Sequence, residues 1–261
     1  TRPHDDISWL DHVTWHSADL TKEGVLDEIL EPNDLVINLI YMHNESAKNN
    51  ELLLGHIINS CNKRKVSRLV HCSTAGVVGV TRDIIVSEVS KREPISQYEK
   101  TKCKLEDQLC TSGHQFDLAI LRPTAVVGIG GSSLVKLVND LLYSGVTRKY
   151  LTACLFGSRP MYLVAVDDVV AALMHLIYLP EHQHNEVYIL SSDDDSANNF
   201  RTVERILFRA LGLKKRIFPV IPVPRSILSL LLRLRGRSHF DMRRRYSSQK
   251  LRSTGFEFTG T

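Results

Sequence analysis

The stretch Arg68-Leu-Val-His-Cys-Ser-Thr-Ala-Gly-Val-Val-Gly79 decides the fold of this chain. Its first six residues predict a buried strand, and the glycine-containing segment after them predicts a loop. Apolar strand-like segments also occur at 34–40 and 117–121, with helix-like segments between the strands. This alternation of strands and helices predicts an α/β fold with a mostly parallel sheet.

The other predicted elements continue the same alternation along the chain. Further strands are predicted at 12–16, 162–166 and 186–191, and helices at 21–30 (with Thr21 as N-cap), 45–63, 95–112, 133–144, 167–178, 200–211 and 225–235. We therefore expect one α/β domain over 1–145, to which 160–192 contribute. The segments 146–159 and 193–261 would form a smaller lobe.

Basic residues are concentrated near the C-terminus. Residues 201–261 hold 15 Lys or Arg against 3 Asp or Glu, whereas the whole chain holds 33 against 29. Such a lobe suits an anionic partner, either a diphosphate-bearing substrate or a membrane surface contacted through 225–235. No interleaved aromatic and basic residues support nucleic-acid binding, so we expect none. The sequence leaves open whether the protein forms a homodimer.

Cysteine, histidine and hydropathy patterns exclude several classes of protein. The five cysteines are odd in number and contain no C-x-x-C, which indicates reduced thiols and a cytoplasmic location. The histidine pairs at 12/16 and 182/184 have no supporting ligand cluster, so we expect no metal site. No apolar run approaches the ~20 residues needed to span a bilayer.

Tyr98 and Lys102 are four residues apart in the predicted helix 95–112. That spacing places both side chains on one helix face. An ammonium group near a phenol favours the phenolate, lowers the tyrosine pKa and equips the pair for proton transfer to a carbonyl or hydroxyl. The same spacing recurs at Tyr246 and Lys250, and we interpret that copy as chance.

Thr74 lies where the strand at 68–73 ends, and parallel-sheet enzymes place their chemistry at such carboxyl ends. Its hydroxyl can donate to a substrate oxygen and stabilise developing charge. Asn50 lies on the helix between the two preceding strands. We predict Thr74, Tyr98, Lys102 and Asn50 as one catalytic set.

Five stretches of the sequence resemble motifs of the extended short-chain dehydrogenase/reductase superfamily, above all its nucleotide-sugar epimerase/dehydratase branch. The similar stretches are Asp19-Leu20, Asn38-Leu-Ile-Tyr41, Ser73-Thr-Ala-Gly-Val-Val-Gly79, Tyr98 with Lys102, and Leu121-Arg-Pro-Thr-Ala-Val-Val-Gly128 with Tyr162-Leu-Val-Ala-Val-Asp-Asp168. The resemblance runs over about 13–179, and it implies a Rossmann-type doubly wound parallel sheet that binds NAD or NADP.

The resemblance also implies a role for each matching residue. Tyr98 would be the general acid/base, and Lys102 would lower its pKa and bind the nicotinamide ribose. Thr74 would position the substrate oxygen, and Asn50 would support a proton relay through water. The cofactor would be lined by Asp19, Leu20, Leu39, Ile40, Tyr41 and Ser73, and its nicotinamide would be bordered by Pro123 and Val126.

The sequence also departs from the family pattern. The G-x-x-G-x-x-G turn that binds the pyrophosphate does not precede Asp19, so we expect a piece of a longer protein whose strand at 34–40 exposes an apolar edge. The choice between NAD and NADP cannot be read without that segment. Ala125 and Met161 replace polar residues of many sugar epimerases, which favours a reductase.

Our expected function is an NAD(P)-dependent 4-keto reductase or dehydrogenase of a nucleotide-activated sugar. Lys136, Arg159 and Arg201 are candidate ligands for the substrate diphosphate. A nucleotide-sugar 4-epimerase and a steroid- or flavonoid-type alcohol reductase remain as alternatives, and so does a cofactor-binding regulatory protein without enzyme activity.

Overall fold

The computed structural model of the chain describes residues 12–180, 184–213, 220–221, 223 and 243–259. Its strands are β1 (Leu35–Asn38), β2 (Arg68–Cys72), β3 (Ile85–Val86), β4 (Asp117–Pro123), β5 (Ala125–Val127), β6 (Leu163–Ala165), β7 (Glu186–Leu190) and β8 (Arg245–Tyr246). Its helices are α1 (Ala47–Arg64), α2 (Gln97–Thr111), α3 (Val135–Tyr143), α4 (Val146–Phe156), α5 (Val166–Tyr178), α6 (Phe200–Ala210) and α7 (Gln249–Ser253). The main sheet is parallel, in the order β1-β2-β4-β7.

Helices cover both faces of this sheet because alternate strand residues point to opposite sides. On one face, Leu69 of β2 belongs to a core that α1 and α2 complete with residues such as Leu54 and Leu105. On the other face, Val70 packs in a core with α5 residues such as Leu176. The predicted α/β fold with a doubly wound parallel sheet is thereby confirmed.

Helix α2 begins at a capping box. The Ser96 hydroxyl accepts a hydrogen bond from the Glu99 N–H at 3.2 Å, and the Glu99 carboxylate accepts one from the Ser96 N–H at 2.9 Å. This reciprocal pair satisfies two N–H groups that a helix start leaves without partners. It places Tyr98 in the first turn of the helix.

Two predictions near the N-terminus are wrong. Residues 12–16 form no strand; their side chains are exposed, and no neighbouring strand pairs with them in the described part of the chain. The helix predicted at 21–30 is a single 3-10 turn, Val25–Glu28, preceded by Gly24 in the left-handed region at φ 79°. Thr21 instead donates its hydroxyl and N–H to Asp19, so it is not a helix N-cap.

The predicted apolar edge of the sheet is present. Among the described residues, β1 has β2 as its only hydrogen-bonded neighbour. Leu39 and Ile40, which follow β1, are 61% and 38% exposed. That the chain is a piece of a longer protein stays a prediction.

Part of the predicted basic lobe cannot be compared with the structure. The helix predicted at 225–235 lies outside the described residues. Within the described ranges, no helix is long and apolar enough to cross a membrane. The same ranges contain no group of three or more His, Cys, Asp or Glu side chains arranged to hold a metal ion.

Candidate active site

The site begins where β2 ends and the chain turns. Thr74 follows the strand in an extended conformation, with φ −154°, and caps a 3-10 turn at Ala75–Val78. Its hydroxyl oxygen accepts a hydrogen bond from the Gly76 N–H at 3.2 Å. Thr74 is thus held at the carboxyl end of the sheet, where the sequence predicted it.

A tight backbone approach at Gly79 brings Tyr98 back to this point. Gly79 has a φ of 59°, and a Cβ there would lie 2.0 Å from the carbonyl oxygen of Glu93. Two hydrogen bonds join the ends of the loop. They run from the Val80 N–H to the Glu93 carbonyl (3.0 Å) and from the Glu93 N–H to the Val78 carbonyl (2.9 Å). The loop therefore closes and brings the Tyr98 side chain near enough to Thr74 for that residue to influence its pKa.

The Tyr98 ring forms a cluster with two other rings, which also contact each other at 4.8 Å. Tyr41 contacts it edge-on, with centroids 5.0 Å apart and planes at 90°, and His43 stacks on it at 6.1 Å and 13°. Tyr98 remains 38% exposed, so part of its side chain is accessible from solvent. His43 was not identified from the sequence, because no spacing relates it to Tyr98.

Lys102 lies one turn further along α2 and is only 3% exposed. Its Nζ donates to the carbonyl oxygen of Cys72, the last residue of β2, at 2.9 Å. It also lies 5.1 Å from the centroid of the Tyr41 ring. The predicted Tyr–Lys face of α2 is thus directed at the end of β2.

The expected lowering of the Tyr98 pKa by Lys102 is wrong for this structure. Burial, followed by the nearby Cys72 and Tyr41, raises the pKa of Tyr98, and only its interaction with Thr74 opposes it. Burial also lowers the pKa of Lys102, which Cys72 and Glu106 partly oppose. Desolvation disfavours the charged form of both groups, so the Tyr98 phenol keeps its proton at neutral pH.

Asn50 lies at the carboxyl end of β1, beneath the loop that carries Tyr41 and His43. Its amide oxygen accepts from the Met42 N–H at 2.9 Å, and its amide nitrogen donates to the carbonyls of Met42 (3.1 Å) and Ser46 (3.0 Å). These bonds engage both amide hydrogens. Asn50 therefore fixes the loop that packs on Tyr98, and the proposed water relay stays a prediction.

Replacing Asn50 by Ala is expected to release this loop. It removes three buried hydrogen bonds and leaves the Met42 N–H without its acceptor, which costs about 1–3 kcal/mol of unfolding free energy. Amide hydrogen exchange at Met42 should become faster, and urea denaturation should show the lower stability. Asn49→Ala is the matched control, because its amide bonds the exposed Glu45 carboxylate; unchanged Met42 exchange in Asn50→Ala would contradict the role.

A buried charged network lies directly behind the site and was not identified from the sequence. Glu106 is 2% exposed, and its carboxylate accepts from the Ser73 hydroxyl at 2.5 Å. It also pairs with both Nε (3.0 Å) and Nη2 (2.6 Å) of Arg122, and with Arg92 at 3.4 Å. The signal was present: Glu106 follows Tyr98 and Lys102 on the same helix face at four-residue spacing.

The structure places the remaining predicted residues in three locations. Asp19 lies in an exposed turn, and the pKa of its carboxyl is lowered by the hydrogen bonds from Thr21. Leu20 packs against the core that α1 and α2 form with the sheet. Arg201 lies beside Gly157, and hydrogen bonds from Arg201 N–H to Gly157 and from Phe200 N–H to Arg159 bring the two arginines to one corner.

The third candidate diphosphate ligand lies on a separate helix. Lys136 is exposed on α3, whereas Arg201 belongs to α6 and Arg159 follows α4. Burial lowers the pKa of the Arg159 guanidinium. In the second copy of the Tyr–Lys spacing, Tyr246 belongs to β8 and Lys250 to α7. Lys250 pairs with Glu186 at 2.6 Å. Both observations agree with the interpretation of this copy as chance.

The residues at the carboxyl ends of β1 and β4 fit a nicotinamide cofactor. Leu39 and Ile40 offer exposed apolar surface next to Tyr41. Pro123 ends β4 and Val126 belongs to β5; between them, Thr124 Oγ1 is buried without a hydrogen-bond partner in the described part of the chain. Such an orphaned hydroxyl suits a polar group such as a carboxamide. The Ser73 hydroxyl, in contrast, is engaged by Glu106.

Fold and site together define a short-chain dehydrogenase/reductase type of protein: a parallel sheet with a Thr, Tyr and Lys set at the carboxyl end of its strands. A family model described as the NAD dependent epimerase/dehydratase family matches residues 2–191. The chain belongs to this family. The family description names NAD, in agreement with the nicotinamide cofactor, NAD or NADP, that the resemblance implies.

Curated relatives cover part of the chain. It is 29% identical over 148 residues to the decarboxylating sterol-4-alpha-carboxylate 3-dehydrogenase erg26 of Schizosaccharomyces pombe, covering 52% of this chain and 43% of that protein. It is 25% identical over 176 residues to UDP-glucose 4-epimerase of Dictyostelium discoideum, covering 60% and 49%. The chain thus spans about half the length of the curated relatives it matches.

A solved structure shows the same fold. The Bordetella bronchiseptica enzyme WbmG, in complex with NAD and UDP, superimposes with a TM-score of 0.66 at 14% identity, over 94% of this chain and 75% of that chain. At this identity the likeness supports the Rossmann-type architecture.

Proposed function

We propose that the protein is an NAD(P)-dependent oxidoreductase that interconverts a ketone and a secondary alcohol, with Tyr98 as general acid/base. The observation that carries the proposal is the meeting of Thr74, Tyr98 and Lys102 at the carboxyl end of β2. Bound NAD(P)H would supply the hydride. Tyr98 would donate its proton to the carbonyl oxygen, which Thr74 would position, and Lys102 would stabilise the negative charge left on the phenol.

A nucleotide-linked sugar is the substrate class that we propose first, with reduction of a 4-keto group as the reaction. Arg159 and Arg201 share one corner, where two guanidinium groups suit a diphosphate. The relative from Dictyostelium discoideum is a UDP-glucose 4-epimerase, so a 4-epimerase is the alternative on the same substrate class.

A sterol or related alicyclic alcohol is the second candidate. The specific observation that favours it is the relative from Schizosaccharomyces pombe, a sterol-4-alpha-carboxylate 3-dehydrogenase that matches at 29% identity. The resemblance assigns the exposed apolar residues Leu39 and Ile40 to the cofactor, so they do not decide between the two classes.

A substrate screen with Arg201→Ala separates these candidates. We expect turnover of NAD(P)H with 4-keto nucleotide sugars, and about a 10-fold to 100-fold higher KM in Arg201→Ala, because one charge-assisted contact of about 1.5–3 kcal/mol is lost. Arg205→Ala, one turn along α6, is the control. Turnover of 3-keto sterols that is unaffected by Arg201→Ala would instead support the second candidate. No turnover with either class, despite cofactor binding, would favour the regulatory alternative.

A further inference from the structure

We propose that Glu106 is a positioning residue of the site: it fixes the Tyr98–Lys102 face of α2 against the end of β2 and sustains the positive charge of Lys102. This inference rests on the proposed function, because it assigns a role in the same proton transfer. It concerns a side chain that the catalytic set did not include.

Two consecutive residues of the β2 end are bound by two residues one turn apart on α2. Lys102 Nζ donates to the Cys72 carbonyl at 2.9 Å, and the Ser73 hydroxyl donates to the Glu106 carboxylate at 2.5 Å. Because Cys72 and Ser73 lead directly into Thr74, these two bonds fix the position of Thr74 relative to the helix that carries Tyr98.

Glu106 is itself held rigidly. Its second set of bonds runs to Arg122 at the end of β4, through Nε and Nη2, and that guanidinium is 4% exposed. A bidentate arginine–carboxylate pair has a defined geometry, unlike a single point contact. The carboxylate thus ties α2 to the carboxyl ends of two neighbouring strands at once.

The charge of Glu106 also acts on Lys102. The lysine is buried, and the groups that face it are the Cys72 thiol and carbonyl and His71 from β2, the Tyr41 ring from the loop after β1, and Glu106 on its own helix. The pKa of His71 is lowered to about 3 by burial and by Lys102, so that ring is neutral. The ordinary pKa of a free thiol lies above neutral, and burial raises that of Cys72 further. Glu106 therefore supplies the negative charge that opposes deprotonation of Lys102.

The two roles can be separated with two substitutions. Glu106→Gln keeps the size of the side chain and removes its charge, whereas Ser73→Ala removes the link to β2 and leaves the Glu106–Arg122 pair intact. Both variants should lower kcat, by about 10-fold to 100-fold, because the relative position of Thr74 and Tyr98 changes, and KM should stay within about twofold. In Glu106→Gln alone, the alkaline limb of the pH–rate profile should move to lower pH.

A titration independent of turnover completes the test. The chain is labelled with 13C at the lysine Cε, the Lys102 signal is assigned by its loss in Lys102→Met, and its chemical shift is followed against pH. We expect Lys102 to lose its proton at lower pH in Glu106→Gln and at unchanged pH in Ser73→Ala. Far-UV circular dichroism verifies that each variant is folded.

The outcomes distinguish this proposal from the proposed function. If no substrate is turned over by the unmodified protein, the proposed function fails, and the Lys102 titration alone decides the present inference. If Glu106→Gln is folded but leaves both kcat and the Lys102 titration unchanged, Glu106 has no positioning role. If Glu106→Gln does not fold, Ser73→Ala must lower kcat with unchanged cofactor affinity, and retained kcat overturns the proposal.

Discussion

Replacing Tyr98 by Phe is expected to lower kcat/KM for ketone reduction by about 10²–10⁴-fold, the usual contribution of a general acid. The substitution removes the hydroxyl that lies near Thr74 and keeps the ring that packs against Tyr41 and His43. The loss should therefore appear in kcat with little change in stability or cofactor affinity. Oxidation of the reduced nicotinamide, followed by its absorbance, measures it.

The raised pKa of Tyr98 also predicts the direction in which activity changes with pH. Burial raises the pKa of Tyr98, so the phenol stays protonated through neutral pH, and loss of its proton should make reduction decline as the pH rises through that raised pKa, in addition to any decline from Lys102. Residual activity of Tyr98→Phe should lack this decline. Tyr178→Phe, at a 68% exposed position on α5, is the control and should match the unmodified protein. Equal rates for Tyr98→Phe and Tyr178→Phe would refute the assignment.

The central elements of the fold could be predicted from the sequence because their signals are local. The apolar residues at 68–73 and 117–121 and the long amphipathic pattern at 45–63 each specify an element through its own residues. The main sheet and α1 follow these predictions closely. The wrong predictions at 12–16 and 21–30 concern segments without such support: the first has no pairing strand, and Gly24 interrupts the second.

In the candidate site, too, the features with a local signal could be predicted and those that depend on packing could not. Thr74, Tyr98 and Lys102 could be predicted because their spacing and their neighbouring strand ends are written in the sequence. The direction of the Tyr98 pKa could not, because it depends on how deeply the folded chain buries the ring and on where the Lys102 ammonium finds an acceptor. Spacing places two groups on one helix face, but burial and the partners on neighbouring elements determine their pKa values.

The contacts of Ser73 and Asn50 show what long-range packing adds. The resemblance suggested Ser73 for the cofactor, and the fold instead directs its hydroxyl to Glu106, which lies 33 positions away in the sequence. Asn50 was expected to hold a water, and its amide hydrogens are engaged by the loop at Met42 and Ser46. Such polar contacts depend on how α2, β2 and the loop after β1 are placed relative to one another, and no single segment encodes that placement.

Arg122→Met is expected to lower the free energy of unfolding by about 3–5 kcal/mol, the typical cost of removing one partner from a buried ion pair. The substitution leaves the Glu106 carboxylate, 2% exposed, with Ser73 and the more distant Arg92 as its remaining partners. Urea denaturation monitored by circular dichroism measures the change. Lys104→Met is the matched control: its pair with Glu51 is largely exposed, so the expected loss is below about 1 kcal/mol.

A double substitution tests whether the loss arises from an uncompensated buried charge. Arg122→Met with Glu106→Leu removes both charges, and should recover most of the stability lost in Arg122→Met, because an apolar pair of similar volume often replaces a buried ion pair at little cost. Activity should not recover with it, since Glu106→Leu also removes the bond to Ser73 and the charge near Lys102. A double variant as unstable as the single one would show that Arg122 stabilises the sheet through its packing, and that the network behind Tyr98 serves the fold more than the site.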